Sequence, residues 1–125
     1  MTIDYLTQTR PLMPREDILP VIIGGDFGVY GIGRCFNEAF GCRCICVGSQ
    51  PTVSITRSHF FDVRHVSAHA SDAQLLDVLM TIAGEHPDKK LILMANHDIF
   101  SAFVARNMET LSRHYALPFP TEEVM

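Results

Sequence analysis

The polar groups of this chain that stand where they could do chemistry are Asp26, Arg34 and the neighbouring pair His97 and Asp98. Asp26 sits inside a glycine-rich stretch, Gly24-Gly25-Asp26-Phe27-Gly28, between an apolar run and a helical pattern. A carboxylate there would repel a bound phosphate, but it could hold a substrate amine or cap the helix that follows. Arg34, farther along that helix, could reach an anion, a carboxylate or a neighbouring domain, or simply lie in solvent. Asp98 follows a second apolar run and could either touch a ligand or cap a helix. The other histidines, at 59, 65, 69, 86 and 114, form no HExxH or comparable metal pair with His97. Cys42, Cys44 and Cys46 alternate along a strand instead of forming CxxC pairs, so with Cys35 they read as small, buried, reduced thiols without metal. No nucleophile, base and orienting group occur together in a known motif, so no catalytic residue is assigned.

The elements that must position these groups follow from the apolar periodicity. Val21, Ile22 and Ile23 are a short β-branched run, as in a strand covered on both faces. From Val29 the spacing turns helical through Ile32, Phe36 and Phe40, with Gly41 as the stop. Arg43 to Val47 reads as a second strand, a short helix or turn lies within Thr52 to His59, and a third strand lies within Phe60 to Val66. Ser71 and Gln74 have the S-x-x-Q spacing of a capping box and open a helix with Leu75, Leu79 and Ile82 inward, ended by Pro87. Leu91 to Ala95 reads as a strand buried on both faces, and Ile99 to Tyr115 as one last helix.

This alternation predicts an α/β fold, Rossmann-like in three α/β/α layers, with a mostly parallel four-stranded sheet in the order 3-2-1-4. Its ligand edge would gather the loop 24–28, the turn 48–50 and Asn96 to Asp98. GxGxxG is absent and no acid stands at the end of the second strand, which excludes an ordinary dinucleotide site; a P-loop is excluded because no Gly-Lys-Ser/Thr follows.

With 125 residues the chain is read as one domain, and 47% apolar residues make a compact core the expectation. A net charge of −4 leaves no basic footprint for nucleic acid. No apolar run approaches a membrane span and the first residues lack a signal-peptide core, so a cytoplasmic location is expected.

The string LPVIIGGDFGVYGIGRCFNEAFGCRCICVG resembles the opening of ATP-grasp carboxylate–amine ligases, in the lobe that precedes the ATP-grasp fold. D-Aspartate ligases and carbamoyl-phosphate-synthase-like ligases begin with a similar P-I-L-G-S-D-x-x-x-Y-G-x-A-R-S-F-H pattern. Pro20, Gly24, Asp26, Tyr30, Gly31, Arg34 and Phe36 match it, while Gly25 replaces the small polar residue and Gly33 the alanine. Ser58 fits a following S-K-I, with His59 in place of lysine, and Asp98 fits K-L-I-L-x-x-x-x-D-x-Y, with Phe100 in place of tyrosine.

The resemblance implies a division into an extended lead-in (1–19), a pre-ATP-grasp domain (20–118) and the start of a linker (119–125) to ATP-grasp domains that would be its partners. It further implies a small carboxylate or amine substrate bound at Gly24, Gly25, Asp26, Phe27, Gly28, Tyr30, Arg34 and Asp98. ATP and Mg would belong to the full-length ligase, which forms an acyl phosphate for an amine to attack; this lobe would carry no cofactor and no activity alone. A homo-oligomer is left open. The residues themselves also allow a regulatory module binding a nucleotide or small acid, or a purely structural interface domain. A large apolar patch at the carboxyl edge of the sheet would favour the lobe of a larger enzyme over an independent binder.

Overall fold

The computed structural model describes residues 14–117. Its elements are β1 (Ile18–Ile23), α1 (Phe27–Phe40), β2 (Cys44–Gly48), α2 (Val53–Thr56), β3 (Phe61–His65), α3 (Asp72–Glu85), β4 (Lys90–Ala95), α4 (Asp98–Arg106) and α5 (Met108–Leu111). The strands form one sheet in the order β3-β2-β1-β4, and every pairing is parallel. This is the Rossmann-like order expected from the alternation of strands and helices, with helices on both faces.

β1 begins earlier than its β-branched run announces. Ile18, Leu19 and Pro20 already pair with Lys90, Leu91 and Ile92 of β4, so the first strand takes in the end of the stretch read as an extended lead-in. Pro20 is tolerated in a central strand because β2 joins β1 only from Val21 onward. The even-numbered residues of β1 address β2, as the Gly24 N–H bond to Val47 O shows, and at Pro20 that ladder has not started.

The sheet buries two separate cores. On one face Val21, Ile23, Ile45, Val47, Leu91 and Leu93 meet Leu75, Leu79 and Ile82 of α3 and Phe103, Val104 and Leu111 of the last helices. On the other, Ile22, Cys44 and Cys46 meet Val29 of α1, Ile55 of α2, and Phe60 and Phe61. α1 comes close to the sheet here because Gly33 has no side chain: a Cβ at this position would stand 2.1 Å from Phe61 Cζ.

The helix ends follow their sequence signals. Ser71 accepts from Gln74 N–H and the Gln74 side chain accepts from Ser71 N–H, a complete capping box. Gly41 closes α1 in the left-handed region at φ 72, its N–H bonding Asn37 O.

Three expectations are corrected. The last helix is two, because Asn107 leaves the α region (φ −117, ψ 20) while its side-chain amide donates to Phe103 O and to Asp72 of α3. β4 is fully buried on one face only: Leu91 and Leu93 are buried, whereas Ile92 and Met94 are half-buried on an edge strand that α1 does not cover fully. Cys35 is exposed on α1, whereas Cys42, Cys44 and Cys46 are buried. Among the described residues no helix is long and apolar enough to cross a membrane.

Candidate functional site

Because β4 lies beside β1, the residues just past the two strands meet at the carboxyl edge of the sheet. Gly24 leaves β1 at φ 136, a conformation that L side chains rarely adopt, and turns the chain into α1. Asp26 then caps α1: its Oδ1 accepts the Val29 N–H at 3.1 Å. The same oxygen takes the Asn96 side-chain amide at 2.5 Å, and Asp26 Oδ2 stands 2.8 Å from His97 Nε2. Asn96 can lie this close because Gly28 has no side chain; a Cβ there would come within 2.6 Å of Asn96 Nδ2. One carboxylate therefore ties the loop after β1 to the loop after β4. Partial burial pulls the Asp26 carboxyl upward, but the Val29 N–H and the His97 ring outweigh it and hold the group below its ordinary value.

Beside this tie lies a cavity of about 230 Å³ lined by Gly24, Gly25, Asp26, Gly48, Ser49, Gln50, Thr52 and Phe100. The Thr52 N–H holds Gly25 O at 2.8 Å, so the loop after β2 is joined in as well. Thr52 Oγ1 is buried and has no hydrogen-bond partner among the described residues. Asp26 is the one titratable group on the cavity wall.

The expected site residues divide at this point. Gly24, Gly25 and Asp26 line the cavity, and Gly28 lies beneath Asn96. Phe27 projects into solvent. Tyr30 packs in the α1 core against Phe60 and Phe61, its ring centroid 5.9 and 6.4 Å from theirs. Arg34 does not share a cleft with Asp26; it is exposed and paired with Glu38 one turn on, at 2.7 Å. Asp98 is the first residue of α4 and exposed, while the cap position belongs to His97, whose side chain makes no cap bond.

Asn96 and His97 as partners of Asp26 were not singled out from the residues. The signal was the strand order: once β4 is placed beside β1, the first residues after each strand must face one another, and Asp98 lies one step too far on. Among the described residues no group of three His, Cys, Asp or Glu side chains is placed to hold a metal ion.

No protein-family model matches the chain, and no solved structure matches it. Among curated proteins the D-aspartate ligase of Enterococcus faecium (strain Aus0004) is similar, with 26% identity over 107 residues. The chain is a distant relative of a ligase. The matched region is 83% of this chain and 25% of that ligase, so the chain spans about a quarter of the length of the relative it matches.

Proposed function

We propose that this chain is the N-terminal, substrate-side lobe of an ATP-dependent carboxylate–amine ligase, with D-aspartate as the first substrate to try. The similarity over most of the chain to a quarter of a D-aspartate ligase carries the reading. The distribution of apolar surface supports it. Phe27, Val53 and Ile99 are 71, 65 and 77% exposed, and each stands in the first turn of a helix that follows a strand, so all three belong to the carboxyl edge. Large apolar side chains left exposed along the ligand edge fit a lobe that packs against further domains better than an independent binder.

The described residues do not fit ATP or its magnesium ion. Asp26 puts a carboxylate at the N-terminus of α1, where a phosphate would otherwise be held, and that carboxylate is already shared among Val29, Asn96 and His97. Nucleotide binding is therefore assigned to ATP-grasp domains acting with this lobe, and the lobe's share of the work is to wall and orient the acid or amine.

The test is to read the gene past the codon of Met125 and to assay the complete product for ADP release that requires both D-aspartate and an amine. Coding sequence for an ATP-grasp region, with such release, supports the proposal. Absence of that region from the gene and its neighbours, together with no substrate-dependent ADP release, overturns it.

A further inference from the structure

We infer that His97 is the general base that takes the proton from the attacking amine, with Asp26 and Asn96 as its positioning residues; this rests on the ligase reading above.

The first observation is a cap that is not made. His97 occupies the N-cap of α4, a place that favours Ser, Thr, Asp or Asn, yet its side chain forms no cap bond. The ring is committed instead to Asp26, across the gap between two loops, with Nε2 2.8 Å from Oδ2. Asp26 cannot follow a ligand, because its other oxygen is held by the Val29 N–H and the Asn96 amide. A fixed carboxylate on one ring nitrogen places the imidazole proton there and leaves the other nitrogen, Nδ1, to accept. Nδ1 bonds no described residue, and the His97 side chain is 56% exposed.

The second observation is what stands next to the ring. Both neighbours of His97, Asp26 and Phe100, also line the cavity at the carboxyl edge; the Phe100 ring lies edge-on at 6.4 Å. Nothing else on that wall titrates except Asp26, which is too weak a base for an ammonium ion.

The chemistry asks for one such group. An alkylamine arrives as an ammonium ion with no free electron pair. Its N–H bond breaks, the proton passes to His97 Nδ1, and the pair left on nitrogen forms the bond to the activated carboxyl carbon. The bond from that carbon to its leaving oxygen then breaks, the leaving group keeps the pair and takes up the second proton of the nitrogen, and a neutral amide is left. General bases of this kind contribute roughly 10²- to 10⁴-fold.

The experiment uses the complete protein that carries this chain, with ATP, Mg²⁺ and D-aspartate, and compares two acceptors. Hydroxylamine is largely unprotonated at neutral pH and needs no base; the side-chain amine of free lysine does. In His97→Gln, amide formation with lysine should fall about a hundredfold or more relative to hydroxamate formation. Asp26→Asn keeps an oxygen for the cap but loses the carboxylate behind the ring, and should shift the same ratio about tenfold. If both products fall together in His97→Gln, or neither falls, the ring is only a tie between loops and the inference is overturned. If wild type makes no hydroxamate at all, the ligase reading itself fails and takes this inference with it.

Discussion

The two faces of the sheet are filled by different means. Under α3, α4 and α5 the core is an interdigitation of branched aliphatic side chains around Phe103, with Tyr115 donating its hydroxyl to Leu79 O at 2.6 Å. Under α1 and α2 it is built from rings and small groups: Phe61 lies over Gly33, and Cys44 and Cys46 fill the sheet side. The first kind of packing has atoms to lose. The second has no room to gain any, and it lies behind the helix whose N-terminus forms the candidate site.

That difference can be tested by removing atoms from one face and adding them to the other. Leu79→Ala, at a fully buried position of the aliphatic face, should cost about 2–5 kcal/mol in chemical denaturation. A smaller loss would mean that this face collapses around a cavity more readily than its packing implies. Gly33→Ala should destabilise the other face by about 1–3 kcal/mol through the clash with Phe61, despite alanine's better helix propensity. Phe61→Leu should return part of the loss in the double variant; independent, additive costs would show that the ring is not the obstacle.

Asp26→Ala carries the comparison to the end of α1 and should cost about 0.5–2 kcal/mol, the usual range for a lost N-cap. Its pH dependence has a definite sign. The folded carboxyl lies below the ordinary aspartate value of about 3.9, so its contribution is complete above that pH and is lost as pH falls through the folded value. Wild type and Asp26→Asn should therefore converge in stability on acidification from neutral pH; divergence would contradict the assignment of the tie.

Thiol chemistry separates the outside of α1 from its inside without changing the fold. Cys35 is exposed, whereas burial pushes the thiols of Cys42 and Cys44 upward and that of Cys46 to about 11. A colourless disulfide reagent at neutral pH should titrate one thiol quickly in the native protein and four after unfolding. The smallest effect belongs to Arg34→Ala, which removes an exposed pair with Glu38 and should leave the melting temperature within experimental error.

What could be read from the sequence was local or followed from the order of elements. The Ser71–Gln74 capping box, the stop at Gly41 and the strand order all rest on rules that act within a few residues or on the handedness of parallel connections. What could not be read depends on residues far apart in the chain. The break at Asn107 is made by Asp72 in another helix, and the early start of β1 is made by its pairing with β4. Arg34 belonged to the same motif as Asp26 by resemblance, yet seven further residues of helix carry it away from the cavity toward Glu38. The edge itself was legible as a place, but the partners of Asp26 were not, because choosing among Asn96, His97 and Asp98 requires knowing how the chain leaves β4.

The position of β1 between β2 and β4 also sets a schedule. β1, β2 and β3 can be laid down in order of synthesis, but the partner on the other side of β1 comes only with Lys90 to Ala95. Until then one flank of Ile18 to Ile23, the most apolar strand of the molecule, has no neighbour and offers its backbone to any passing chain. Closing the sheet is thus a late, long-range event, of the kind that slows folding, and variants that weaken β4 should reveal themselves as aggregation during refolding before they appear as a lower melting temperature.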